Sequence, residues 1–264
     1  MFLILKLACG IWIIQTLAFG LSIWLKRNSI ADVFWGFSIA VVAIAANYSF
    51  IMYVLKINPY LALFIPSIVI SALMAIWGLR LTYHIGIRFI KKKKEDPRYA
   101  KMSESWQNYY LRSYLQVFLL QGALMLGMMS ALVVTILYPA TVNIYLLGAG
   151  VFVWAFGFLF EVVADQQLTK FVKTKKPGEI MKKGLWRYSR HPNYFGEVVS
   201  WWGIWIITLN TQYWWIAFLT PAIITFLILK VSGVPMAEAH YADNDEFQEY
   251  AKYTSKFFPW SPKR

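Results

Sequence analysis

The sequence predicts an all-α, polytopic membrane protein, and three observations carry that prediction. Hydrophobic residues fill 59% of the 264 positions and aromatic residues 18%, thirteen of them tryptophan, far more than a water-soluble core requires. Seven stretches, near residues 3–25, 30–54, 61–85, 115–137, 144–164, 194–209 and 213–231, are apolar with few charges. As helices, all but the short sixth match a hydrocarbon slab of about 30 Å. The third observation is where the charge falls. Laying seven spans end to end puts Lys26, Arg27, Lys91–Lys94, Arg98, Lys101, Arg112, the run from Lys170 to Arg190 and the run from Lys252 to Arg264 on one side. The opposite loops, around Lys56, Pro139 and Asn210, are nearly bare of basic residues. That asymmetry predicts seven transmembrane helices with the N-terminus outside and the C-terminus cytosolic. It also assigns the net charge of +13 to anionic lipid headgroups or a phosphate-bearing ligand, with no nucleic acid as partner.

The elements follow in order. The first apolar stretch is too long for a signal peptide and has no small-x-small site after it, so it reads as the first span. "KLACG" at 6–10 places Lys6 where a lipoprotein cleavage box needs an aliphatic residue. In "KRNSIAD" (26–32), Asn28 or Ser29 is placed to cap the second helix, which Asp32 then enters. "KINPY" (56–60) reads as an outer turn. "IRFIKKKKEDPRYAKMSESWQNYY" (87–110) reads as a cytosolic interfacial loop with its tyrosines and Trp106 at headgroup depth. "YPATVN" (138–143) turns outside, and 169–192 is the longest polar cytosolic segment, broken at Pro177–Gly178. "SGVP" (232–235) ends the last span, and "DEFQEYAKYTSKFFPW" (245–260) follows as a short amphipathic tail. The single cysteine, Cys9, excludes a disulfide framework. No internal repeat occurs, so 1–264 reads as one domain. The oligomeric state stays open, a monomer being sufficient.

Ionisable groups inside a bilayer cost about 2.5–3.5 kcal/mol each on insertion scales, so each one marks a functional candidate. Arg80, His84 and Arg88 lie four apart and share one face of the third span; for Arg88 the alternative is snorkelling to lipid phosphate. Glu161 and Asp165 share a face of the fifth span, with a structural ion-pair cluster as the alternative. Asp32 stands at the start of span two, where a carboxylate is also favoured by the helix dipole. Pro192 fits the first turn of a helix, so "HPNYFGE" opens span six and puts Asn193 and Glu197 on one face, with Trp201 a turn further on. Gly196 permits close approach there. Arg187, Arg190 and His191 gather at its mouth. These groups predict a cleft open to the cytosol, cationic at its rim and bearing carboxylates and amides deeper. Such a cleft suits an anionic cofactor whose uncharged end meets a lipophilic substrate. The spacing of His84, His191 and His240 does not support a metal site.

"LWRYSRHPNYFGE" (185–197) resembles the R-H-P-x-Y-x-G-E/D element of membrane sterol reductases, steroid 5-alpha-reductases and isoprenylcysteine-type methyltransferases. "ADQQLTKF" (164–171) resembles the D/N-x-Q-x-x-x-F element of the reductases, and "KKPGEI" (175–180) their K-P-G-E-I. The tail from "SGVP" to "TSKFFPW" resembles that of bacterial steroid 5-alpha-reductases. The paired C-terminal glutamates of the methyltransferases are missing, only Glu238 lying in that region. The likeness is strongest over about 150–264 and collinear over 28–100.

This resemblance implies an integral protein of the bacterial inner membrane that binds NADPH and reduces the 4,5 double bond of 3-oxo-4-ene steroids. It implies cofactor contacts at Asp165, Asn193, Glu197 and Tyr241, and a phosphate-facing role for Arg80, with His84, Arg88, Arg190, His191 and Glu238 nearby. Glu161 stands where an asparagine is usual, and Lys175 or Lys176 replaces an arginine. Asp32 takes the place of the glutamate that meets the steroid 3-ketone. Its partner tyrosine would be Tyr83, although counting back from Arg80 puts Trp77 in that slot. Trp35 and Trp77 would wall the substrate. A carboxyl group in an apolar pocket keeps its proton more readily, which suits donation to a ketone oxygen. The alternatives are a lipid or isoprenylcysteine-type methyltransferase using S-adenosylmethionine, a lipid-binding or scaffold protein with a degenerate site, and a reductase of enoyl thioesters or polyprenoid enones.

Overall fold

The computed structural model describes residues 2–54, 61–239 and 241–262, and every regular element among them is helical. Besides short 3-10 turns at Leu61–Phe64 and Gly184–Arg187, these are in order α1 (Phe2–Leu25), α2 (Ile30–Val54), α3 (Ile65–Lys91), α4 (Pro97–Ser103), α5 (Tyr109–Met128), α6 (Ser130–Leu137), α7 (Ile144–Thr174), α8 (Pro192–Ile207), α9 (Trp214–Ala239) and α10 (Asp245–Tyr253). Five of them are long and apolar enough to cross a membrane, and α5 with α6 makes a sixth if the pair counts as one broken span. The expected sixth segment is α8, whose 16 residues are short for a crossing. The expected outer turn at 56–60 and His240 lie outside the described residues. By contacts the chain divides into two compact units, Met1–Ile144 with Thr208–Thr220, and Tyr145–Ile207 with Pro221–Arg264.

In the first unit, α1 buries one stripe, Leu7, Ile11, Gln15, Ala18 and Ser22, at the spacing of a single helical face. Gln15 on that stripe donates to Ser38 on α2 at 3.1 Å. Helices α2 and α3 touch backbone to backbone, because a Cβ on Gly36 would collide with the Gly78 carbonyl and one on Gly78 with that of Gly36. Further along, Ser71 donates to the Ala43 carbonyl at 2.8 Å and Asn47 to the Ser67 carbonyl at 3.0 Å. Small residues with short polar arms are how helices adhere where the surrounding lipid is as apolar as they are.

The start of α2 is capped from outside. The Glu95 carboxylate accepts from the backbone N–H groups of Asn28 and Ser29, the latter at 3.1 Å. Neither side chain expected to cap does so. The Asn28 carbonyl instead accepts from Ser113 at 2.7 Å. A carboxylate at this end also meets the positive pole of the helix. Asp96 then caps α4 through the Arg98 N–H at 3.0 Å, with Pro97 in the first turn. The segment after α3 therefore folds back as a strap. Tyr99 is buried with Ala18, Ile30, Ala31, Val117 and Phe118, so the strap packs into the first unit's core.

The fourth apolar stretch bends by 44° between Met128 and Ser130 without a proline. Thr220, fully buried, answers both freed backbone groups: it donates to the Met128 carbonyl at 2.9 Å and accepts from the Ala131 N–H at 3.0 Å. Kinks in lipid persist only where such groups are satisfied. Thr220→Val, which keeps shape and removes the hydroxyl, is expected to cost about 1–3 kcal/mol and to lower the melting temperature in detergent. Thr220→Ser should retain most of the stability. Equal melting of the valine variant and the parent would remove the hydroxyl from this account.

Candidate functional site

Within the second unit, α7 and α8 run antiparallel and meet through four glycines spaced seven apart, Gly150 and Gly157 facing Gly203 and Gly196. A Cβ on Gly157 would stand 2.5 Å from the Gly196 carbonyl, and one on Gly196 2.5 Å from the Glu161 amide. That distance admits only hydrogen, so the two backbones lie in direct contact. The consequence is polar. Glu161 and Asp165, both buried, follow Gly157 along α7, and Asn193 lies one turn before Gly196 on α8. Asn193 Nδ2 donates to Asp165 Oδ1 at 3.1 Å. Asn193 Oδ1 is buried and has no hydrogen-bond partner among the described residues. Glu197 is half-buried on the same helix.

The approach to α8 is built by the motif glutamine. Gln167 Oε1 accepts from the Leu185 N–H at 3.0 Å, and its side chain covers Gly184, whose φ of 63° and crowded α-carbon leave no room for a Cβ. Trp186 donates to the Ala164 carbonyl at 3.1 Å, and Tyr250 of α10 donates to the Trp186 carbonyl. Ser189 Oγ donates to the Phe257 carbonyl at 2.7 Å and accepts from the His191 N–H at 3.1 Å. The amphipathic tail thus turns its apolar side, Phe247 and Tyr250, onto Ile180.

Two rim residues have protein partners. Arg190 Nε forms an ion pair with Glu238 Oε1 at 2.9 Å, too poorly aligned to count as a hydrogen bond, and its Nη1 donates to the Ala251 carbonyl at 2.9 Å. His191 Nε2 lies 3.1 Å from the same Glu238 oxygen, and Lys256 reaches the other at 3.6 Å. Arg190, His191 and Glu238 therefore tie the tail to the start of α8. Tyr241 stacks on Phe247 at 5.2 Å, while Lys175 and Lys176 are exposed.

In the first unit Asp32 stands in the first turn of α2 and both its oxygens accept. Tyr99 donates to Oδ1 at 2.6 Å and Arg98 Nη2 to Oδ2 at 2.8 Å. Gln121, aimed inward just after a π turn at Tyr114–Leu119, donates to the Tyr99 hydroxyl at 3.3 Å. Burial first, and the Asp32 charge second, push the Tyr99 hydroxyl well above the ordinary phenol range. Burial works against the Arg98 charge, but Asp32 and Asp96 outweigh it and raise its pKa. Burial would raise the Asp96 carboxyl, yet Arg98 holds it below its usual value. Arg98 is 44% exposed, so solvent screens its pair with Asp32.

Tyr83 is 70% exposed, and the tyrosine on Asp32 is Tyr99. Arg80 and His84 are half-buried on α3, Arg88 is exposed, Trp77 is fully buried and Trp35 half-buried. Sequence reasoning passed over Tyr99, Arg98, Glu95 and Gln121. Asp96-Pro97 was the available signal for a helix start, and Gln121 was a polar residue within an apolar run.

Burial pulls the His191 pKa below its ordinary value; the Glu238 hydrogen bond opposes this without reversing it. A folded-state pKa below the unfolded one means that stability is present above the unfolded pKa, about 6.5, and declines as pH falls through the folded one. The parent melting temperature should therefore drop more between about pH 7 and 5 than that of His191→Gln. Parallel curves for the two proteins would show that His191 contributes no such term.

A family model described as a protein of unknown function (DUF1295) matches residues 18–256. The 3-oxo-5-alpha-steroid 4-dehydrogenase 1 of Bos taurus is 32% identical over 111 residues, 40% of this chain and 39% of that protein. The chain thus spans about two fifths of the length of the curated relative it matches. No solved structure matches. Matched over most of its length, the chain belongs to the DUF1295 family, a steroid 5-alpha-reductase-like family.

Proposed function

We propose that this chain is a membrane-embedded, NADPH-dependent reductase of the 4,5 double bond of 3-oxo-4-ene steroids. The observation that carries the reading is the Asn193–Asp165 pair, formed by residues from two separate motifs, with the Asn193 carbonyl oxygen buried and unanswered. A buried acceptor beside a carboxylate fits the hydroxyl and amide donors of a nicotinamide nucleoside. Asp165, Asn193, Glu197 and Tyr241 are proposed to hold NADPH, with Arg80, His84 and Arg88 toward its phosphates and Glu161, Lys175 and Lys176 beside it. Arg190, His191 and Glu238 support them by fixing the start of α8. When bound, NADPH supplies a hydride to the carbon β to the ketone.

As charge develops on the ketone oxygen, a fixed donor lowers the barrier. Asp32 and Tyr99 are proposed to meet that oxygen, in place of Asp32 and Tyr83. Tyr99 keeps its proton at neutral pH, and on substrate binding its single O–H is proposed to turn from Asp32 to the ketone oxygen, leaving Asp32 paired with Arg98. Solvent then protonates the carbon α to the ketone, and the saturated ketone leaves. Trp35 and Trp77 are proposed to wall the substrate.

The same reading makes α8 the seventh span, sets the N-terminus outside, and opens the cofactor site to the cytoplasm of a bacterial inner membrane; the charge asymmetry of the loops supports it. A match to a named steroid dehydrogenase leaves the methyltransferase alternative without support. The expected outcome for Tyr99→Phe is a loss of about 10²-fold in NADPH-dependent reduction of a 4-ene-3-ketosteroid, with the thermal shift on adding NADPH unchanged. Asp32→Asn should behave alike, and Tyr83→Phe should turn over as the parent does. Loss of activity in Tyr83→Phe with full activity in Tyr99→Phe would reverse the assignment. Stabilisation by S-adenosylmethionine and not by NADPH would overturn the reading itself.

A further inference from the structure

We infer that the second unit carries a seat for one anionic phospholipid, formed where the C-terminal tail crosses the turn before α8. Two open cavities share this wall. The first, about 330 Å³, is lined by Phe160, Leu185, Tyr188, Trp260 and neighbouring tail residues. The second, about 300 Å³, is lined by Lys182, Arg187, Tyr253 and Pro262 among others. Leu185 and Tyr188 face one, Arg187 faces the other, and the tail passes from Ser261 at the first to Pro262 at the second.

The depth of each follows from α7. Its apolar part, residues 144–164, is about 31 Å long at 1.5 Å per residue, which matches the hydrocarbon slab. Phe160 therefore lies about one turn inside the boundary, and the helix beyond Asp165 lies outside it. The apolar cavity opens at acyl depth. It continues the exposed apolar face of α7, Phe156, Leu159 and Val163, and is rimmed by Trp260, 75% exposed, and by Tyr188. Aromatic residues of this kind settle at the headgroup level.

The other cavity lies on the headgroup side. Lys182 is paired with Glu246 at 2.5 Å and Glu249 with Lys252 at 3.0 Å, so those charges are compensated. Arg187, exposed, is the uncompensated charge of the cavity among the described residues. A guanidinium is suited to a phosphate because its fork offers two parallel donors. An apolar cavity beside the Arg187 guanidinium matches a lipid with a chain and an anionic phosphate. The proposal does not rest on the reductase reading.

The test uses the full chain in detergent, with phosphatidylglycerol or phosphatidylcholine added, read by melting temperature and by lipid retained in native mass spectrometry. Phosphatidylglycerol should be retained and should raise the melting temperature more than phosphatidylcholine. Its preference should be about five-fold, the scale expected of one basic residue at a lipid surface. Arg187→Ala should abolish the preference while weak binding of both lipids persists; Trp260→Ala should reduce retention of both. Both side chains are exposed, and the Trp260 N–H bond to the Tyr188 carbonyl does not need the indole, so both variants should fold. Equal retention of the two lipids by the parent, or an unchanged preference in Arg187→Ala, would overturn the proposal. So would an Arg187→Ala variant that loses its response to NADPH while keeping its preference for phosphatidylglycerol, since Arg187 would then belong to the cofactor.

Discussion

The contact on which the second unit depends is backbone against backbone. Gly150, Gly157, Gly196 and Gly203 let α7 and α8 approach until a single added carbon would overlap main-chain atoms. Lipid cannot drive two apolar helices together by excluding water, so dispersion across a close seam does that work. The seam also fixes register. With Gly196 against Glu161, the turns on either side bring Asp165 and Asn193 within hydrogen-bond distance. A buried carboxylate and amide are costly alone and acceptable as a pair. Helix packing and the candidate cofactor site are thus consequences of one geometric fact.

The first unit meets a related constraint by another route. Every polar backbone group freed inside an apolar region needs a partner. Glu95 provides it at the start of α2, and Thr220 at the bend between α5 and α6. The same strap that brings Glu95 to α2 brings Arg98 and Tyr99 to Asp32. A carboxylate whose two oxygens both accept is not placed to give a proton, so on the proposed reading the donor is the Tyr99 hydroxyl, once its proton turns from Asp32 to the ketone.

What could be read in advance was local. Pro192 announced the start of α8, the amphipathic run from Asp245 announced α10, and apolar length located the long helices. The motifs single out Asp165 and Asn193 separately; the hydrogen bond that joins them belongs to the fold. What escaped was set by partners distant in sequence. Thr220 lies about ninety residues from the bend it satisfies, and no proline marks that bend. Glu95 displaced Asn28 and Ser29 as the cap because a charged acceptor folded back from beyond α3. Arg190 and His191 looked like free rim cations until the tail brought Glu238 to them. A charge count along the chain cannot show which cations are already neutralised by a carboxylate dozens of residues away.

The most direct test of the central claim is the fate of the hydride. The full chain, given a 4-ene-3-ketosteroid and NADPH deuterated at the transferring position of its nicotinamide ring, should yield a saturated ketone with one deuterium on the carbon β to the carbonyl and none on the α carbon. Deuterium placed elsewhere, or a steroid recovered unreduced while NADPH leaves the melting temperature unmoved, would contradict the account.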